Sequence, residues 1–486
     1  MIVLKFGGTS VGSPEAISRT IGIISSKLED NPLVVVSACS GVTDMLYHVC
    51  DLACCGDGGS DGGFGRLSGE GSGRGSGGVS GGLSQKCREA VEAVRTKHYG
   101  IASELGLPSS DPVYSTIYSI CEKILSCAGE IAGDWAATTA PDGRILLSPS
   151  ASSAKAALVG QGEMLSSNII CAAMKARGID IEWFYAPSVM KTTGSPLCGE
   201  PDMASISALA VSELRPVLRS HSLVITQGFV GSASDGGASI LGRGGSDYSA
   251  SIFGAALEAD RVEIWTDVDG VRSADPRIVS DTVGIGKISY EEAAELARFG
   301  AKVLHPLTME PAQEKNIPLY VLNSMNPSAE GTAVMSRNFI SDGVKSISYK
   351  ENIKVINIYS LKMINAAGFM QRVFTVFGER GVSLDLLSSS EASITVTVDN
   401  NQNLDGVIED LSSFALCQVD RDKSQVSIIG KNIISIPGAL TSIFGALEGV
   451  RLYMIAQGAS FLNFSIVVDR PEMKSVIAKL HKTLFP

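Results

Sequence analysis

Five short apolar runs decide the fold class of this chain. Residues 2–6, 33–38, 223–226, 262–265 and 319–322 are almost continuously apolar, and the first two open directly into loops of glycine and serine. A strand apolar on both faces belongs inside a sheet that is covered on both sides. Helical periodicity fills much of the chain between them. Val91, Val94, Ile101 and Leu105, then Ile117, Ile120, Ile124 and Ile131, recur at spacings of three or four. Strands and helices in alternation predict an α/β fold built on a mostly parallel central sheet sandwiched by helices, with ligands at the carboxyl ends of the strands.

The pattern changes near residue 340. Alternating segments at 346–348, 355–358, 394–398, 426–429 and 464–468 now interleave with short helices. Two of those helices begin at the related sequences Gly-Phe-Met-Gln-Arg-Val-Phe (368–374) and Pro-Gly-Ala-Leu-Thr-Ser-Ile-Phe (437–444). This predicts a large first domain over 1–337 and a tandem pair of small α+β units over 338–486. With 486 residues, about three domains are expected at roughly 150 residues each. Residues 56–82 fit neither part. About half are glycine and most others are serine or aspartate, so too little apolar area offsets the entropy of ordering. A flexible, dispensable surface insertion is expected. Its Gly73-x-Gly75-x-x-Gly78 follows no strand and opens no helix, so it is read as a chance dinucleotide fingerprint.

Several function classes drop out. The net charge of −11 lacks the basic footprint of a nucleic-acid binder. No apolar run approaches the ~18 residues a membrane span needs. The N-terminus lacks a signal-peptide pattern, so a cytoplasmic location is expected. The ten cysteines are scattered without a Cys-x-x-Cys pair, and no His-Glu-x-x-His occurs. Reduced thiols and no resident metal site are therefore expected.

Four segments carry candidate chemistry. In Lys5-Phe6-Gly7-Gly8-Thr9-Ser10, a strand delivers a lysine, and glycines let backbone amides approach a phosphate closely. It is not a Walker A loop. Gly160-Gln161-Gly162-Glu163 opens a helix with Glu163 in its first turn, where a carboxylate is favoured. Leu241-Gly242-Arg243-Gly244-Gly245-Ser246-Asp247 frames one arginine with glycines, a setting suited to bidentate binding of a carboxylate. Trp265-Thr266-Asp267-Val268-Asp269-Gly270, continuing to Asp275-Pro276-Arg277, is an acidic turn that could face Mg²⁺ or a ribose. Taken singly, each also reads as an ordinary polar or glycine turn.

Together, in order and spacing, these segments resemble the aspartate kinase family of the amino acid kinase fold. So do Val34–Thr43, Gly228–Gly231 and Phe299-Gly300-Ala301-Lys302-Val303-Leu304-His305-Pro306. Gly368-Phe369-Met370, Val382-Ser383-Leu384-Asp385 and Ser389-Ser390-Glu391 are similar to the ferredoxin-like ACT domains of the lysine-sensitive, monofunctional members. The first ACT unit would cover about 353–425. The second would cover about 426–486 plus a strand near 344–350.

The resemblance implies phosphoryl transfer from ATP, with Mg²⁺, to the side-chain carboxylate of L-aspartate. It assigns Lys5 to the transferring phosphoryl group and Asp247 to orienting Lys5. Arg243 and Ser246 would clamp the α-carboxylate, Glu163 would take the ammonium, and Thr43 and Phe229 would complete the substrate pocket. Lys5, Gly7, Gly8, Thr266, Asp267, Arg272, Arg277 and Lys302 fall on ATP-binding positions, although position 272 is usually aromatic in the family. Met363, Gly368, Met370, Ser383, Asp385, Ser390 and Glu391 would bind an amino-acid effector, and ACT pairing implies a homodimer or homotetramer. The chemistry is consistent: a carboxylate nucleophile is already ionised at neutral pH and needs no general base. Threonine, or no effector, remains the rival to lysine. A kinase of another small carboxylate such as glutamate, and an inactive amino-acid sensor, are the rival functions.

Overall fold

The computed structural model describes residues 1–55, 83–134, 138–139, 145–300, 304–364, 366–399, 404–458 and 461–485. The glycine-rich segment 56–82 and Lys302 lie outside them. The described residues form two compact units. One is Met1–Asp269 with Leu307–Met335, and the other is Gly270–Pro306 with Ser336–Pro486.

The first unit is built on the expected sheet. The apolar runs become the strands Ile2–Phe6, Leu33–Val36, Leu223–Gln227, Arg261–Thr266 and Leu319–Asn323, joined by Ile181–Phe184 and Thr332–Met335. Ile2–Phe6 lies between Leu33–Val36 and Arg261–Thr266, parallel to both. Leu223–Gln227 follows outside Leu33–Val36, and Leu319–Asn323 outside Arg261–Thr266, again parallel. Only Thr332–Met335 among these strands runs antiparallel to its neighbour. Val3, Leu4, Val34, Val35, Ile225 and Val262 are wholly buried, as strands covered on both faces require.

The periodic stretch after residue 83 folds as two helices, Gln85–Glu104 and Pro112–Gly133, capped by Ser84 and Asp111. Gln161–Lys175 is the helix that carries Glu163, and Gly178 ends that region at φ +76°. Gly245–Leu257 carries Asp247, with Gly244 as its left-handed N-cap.

The second unit is an antiparallel sheet. Its order is Leu387–Ser389, Ser393–Asp399, Gly343–Tyr359, Leu416–Lys431, Asn463–Asp469, Met454–Gln457. The short strands expected at 346–348 and 355–358 are one continuous strand, and 426–429 is the end of another. The polar break Lys350-Glu351-Asn352 is absorbed by register shifts and a left-handed Asn352, so pairing resumes instead of ending. Two apolar cores flank this shared pair of strands. One gathers Ile356, Val373, Phe377, Ile394 and Leu411, and the other gathers Val426, Ile443, Ile466, Val476 and Leu480. The related sequences do start matching helices, Phe369–Glu379 and Ala439–Ala446. Each has a left-handed glycine cap, Gly368 and Gly438.

Candidate active site

The chemistry-bearing residues of the first unit gather at the carboxyl edge of its sheet. Lys5 is buried on the central strand, and its ammonium pairs with the Asp247 carboxylate. A side chain at Gly7 would stand 3.4 Å from the Lys5 Nζ, and one at Gly8 would stand 3.1 Å from the Ala38 carbonyl. The glycines thus keep the space around the ammonium open to a ligand.

Glu163 faces the same region from the first turn of its helix. It is 3% exposed, and its Oε2 has no hydrogen-bond partner among the described residues. Burial pushes its acidity constant up to about 8, against opposing pulls from the Ala38 amide, its own amide and the Lys5 charge. A buried carboxyl with one unmet oxygen is suited to receive a cationic ligand group. Gly162 is required beside it, since a Cβ there would lie 2.7 Å from that of Ala38. Ser166, one turn on, donates to the Ser37 carbonyl at 2.7 Å. Helix and strand-end loop are therefore tied together. Thr43 is the second residue of the helix Val42–Cys55, which that loop enters.

Phe229 and the Arg243 loop are braced against each other. Phe229 holds φ +69°, an unusual conformation for an aromatic residue. Its amide donates to Ser249 Oγ at 2.9 Å, and its carbonyl accepts from Leu241 at 2.9 Å. A Cβ on Gly228 would come within 2.6 Å of Ser246 Cβ. Arg243 sits between Gly242 and Gly244, both left-handed. It is exposed and has no carboxylate partner among the described residues, so its fork is free for a ligand.

On the other side of Lys5, Thr266 ends its strand and Asp267 follows it. Thr266 Oγ1 donates to Asp267 at 3.1 Å, and Ser324 donates to the Thr266 carbonyl at 3.0 Å. Ser324 also bonds Ser10 at 2.7 Å, and Asn323 bonds Asp269 at 2.8 Å. These braces were not legible in the sequence, because the bonding partners are far apart along the chain. Arg272 and Arg277 belong to the second unit. Arg272 donates to Thr282 Oγ1 at 2.7 Å, and Arg277 is 85% exposed and paired with Asp275.

The predicted effector residues lie in the second unit. Gly368 caps its helix, Met370 and Glu391 are exposed, and Met363 is half-buried. Ser390 Oγ bonds Ser393 Oγ at 2.6 Å. Asp385 is paired with Lys350 at 2.8 Å, and Lys350 reaches Asp399 at 2.9 Å. Ser383 is exposed near the start of that segment.

A parallel sheet with cation, carboxylates and glycine-lined amides at its carboxyl edge is the architecture of an amino acid kinase. The Amino acid kinase family pattern matches residues 1–323, and an ACT domain pattern matches residues 426–484. The lysine-sensitive aspartokinase 3 of Escherichia coli is 32% identical over 493 residues, covering 100% of this chain and 99% of that one. The chloroplastic aspartokinase 1 of Arabidopsis thaliana is 31% identical over 99% of this chain and 80% of its own. Among solved structures, E. coli aspartokinase III with aspartate and ADP matches over 100% of both chains at 32% identity and a TM-score of 0.77. Its lysine- and aspartate-bound T-state matches over the same span with a TM-score of 0.78. The chain belongs to the aspartokinase family, kinases that phosphorylate the side-chain carboxylate of aspartate in amino-acid biosynthesis.

Proposed function

We propose that Lys5, Asp247, Glu163, Arg243, Ser246, Thr43 and Phe229 form the aspartate and phosphoryl-transfer pocket of this aspartate kinase, and that lysine regulates it through the C-terminal unit. The observation that carries the reading is the convergence of Lys5, Asp247 and Glu163 at one sheet edge. Arg243 takes the α-carboxylate bidentately, and Glu163 takes the ammonium. That leaves the side-chain carboxylate aimed at the nucleotide. Lys5 offsets negative charge on the transferring phosphoryl group, and Asp247 holds Lys5 in place. Positioning and charge compensation are what such a transfer requires.

ATP lies along Gly7, Gly8, Thr266 and Asp267. Among the described residues no group of acidic, histidine or cysteine side chains could hold a metal alone. This fits an Mg²⁺ that enters on the triphosphate, with Asp267 as an available carboxylate. Bound there, Mg²⁺ would neutralise phosphate charge. The chain divides as a catalytic domain over 1–337 and tandem ACT units over 338–486. Pairing of ACT units makes it a homodimer or homotetramer. No helix among the described residues is long and apolar enough to cross a membrane, which supports a cytoplasmic enzyme.

Trapping the acyl phosphate with hydroxylamine tests the reading. Aspartate with ATP should give hydroxamate and glutamate should give none, and Lys5→Ala should lower turnover at least ~100-fold. Equal turnover of glutamate, or an active Lys5→Ala variant, would defeat it.

A further inference from the structure

Lys97 has no role in the pocket described so far. It is half-buried on the helix Gln85–Glu104, and its Nζ donates to the Ser40 carbonyl at 2.7 Å, 57 residues away in the chain. Ser40 is the pivot of the turn 37–41, which joins the strand Leu33–Val36 to the helix carrying Thr43.

Three walls of the pocket meet at that turn. The Ser40 amide donates to the Gly8 carbonyl at 3.1 Å, fixing the turn to the glycine loop beside Lys5. The helix bearing Glu163 is fixed to the turn as well, since Ser166 Oγ donates to the Ser37 carbonyl at 2.7 Å and a Cβ on Gly162 would lie 2.7 Å from that of Ala38. Gly41, at φ +78°, lets the chain swing into the helix that bears Thr43. The turn is also closely packed, since a Cβ on Gly12 would meet both the Gly8 carbonyl and Ser40 Cβ at 2.9 Å. Cys39 in this turn is buried, which pushes its thiol up to about 12.

A residue whose N–H donates to one side and whose C=O accepts from another is held through both of its peptide groups. The Gly8 carbonyl and the Lys97 ammonium do this for the segment through Ser40, and a charged donor makes the stronger kind of bond. We infer that Lys97 is a positioning residue for aspartate: by anchoring the Ser40 carbonyl it sets the turn 37–41, and through it Glu163 and Thr43, for the substrate ammonium. The inference rests on the aspartate pocket proposed above.

The test is steady-state kinetics of the full chain with aspartate and ATP varied separately, for wild type, Lys97→Met and Lys97→Arg. Methionine keeps an apolar stem of similar length and removes the ammonium. Lys97→Met should raise the KM for aspartate about 10-fold, the scale of one charged hydrogen bond, and leave the KM for ATP within about 2-fold. Lys97→Arg should restore most of the loss. A wild-type KM for aspartate in Lys97→Met would overturn the inference. So would equal losses toward both substrates with a lowered melting temperature and no rescue by arginine. Wild-type protein that gives no hydroxamate from aspartate would instead overturn the pocket on which it rests.

Discussion

Glu163 shows how one side chain can be poor for stability and right for binding. Its carboxyl is buried with one oxygen unmet, and its acidity constant stands near 8, whereas an unfolded glutamate titrates at about 4.3. Between those values the unfolded chain has lost a proton that the folded chain keeps. Folding stability therefore falls as pH rises from about 4 to about 8. Glu163→Gln should remove this loss, on the order of 5 kcal/mol by pH 8, seen as a higher melting temperature relative to wild type at pH 8 than at pH 5. The ionised form is the one that attracts a substrate ammonium. In wild type kcat/KM for aspartate should accordingly climb to a plateau above pH 8, and Glu163→Gln should lose that limb along with most of its affinity. A flat wild-type profile between pH 6 and 9 would count against the assignment. At this scale residue type and local setting were readable: a lysine ending a strand, a glutamate opening a helix, an arginine between glycines. What decides their behaviour was not, because Lys5 meets Asp247, and Ser10 meets Ser324, only after the chain has closed.

Among elements, the apolar runs became central strands because nothing but a doubly covered sheet can bury both of their faces. The exceptions are instructive. The strand Gly343–Tyr359 reads as two pieces because charged and polar residues interrupt its alternation at 350–352, yet ladder bonds on either side carry it through. Glycines placed by tertiary crowding are likewise invisible to pattern reading. Gly228 lies against the first turn of the helix Gly245–Leu257, where a Cβ would come 2.8 Å from Ser246 Cα, a backbone atom that cannot rotate away. Gly228→Ala should therefore shift that turn together with Arg243 and Asp247. An increase of at least ~10-fold in the KM for aspartate is expected, the cost of roughly 1.4 kcal/mol of misplacement. Titration of aspartate against the variant checks this, and an unchanged KM would mean that the turn tolerates the methyl group.

For the whole molecule, the family and the broad order of domains were legible because whole motifs recur in a fixed sequence. The make-up of the compact units was not: residues 270–306 group with the C-terminal part, since Ala274 and Val279 pack into its core. Lysine should inhibit turnover and raise the melting temperature. Glu391, exposed and without an ion-pair partner among the described residues, offers a clean probe: Glu391→Ala should weaken both responses at least ~10-fold while basal turnover stays. Inhibition by threonine alone would redirect the effector assignment. The long strand Gly343–Tyr359 also sets an order of events in time. Its early stretch pairs with Gln425–Lys431 and its later stretch with Leu416–Lys423. During synthesis the segment 343–350 leaves the ribosome first and waits longest for its mate, while the segment between closes its own sheet and helices. One ACT-like unit is thus nested inside the other, and a gene cut after codon 425 would strand that early segment on the wrong fragment.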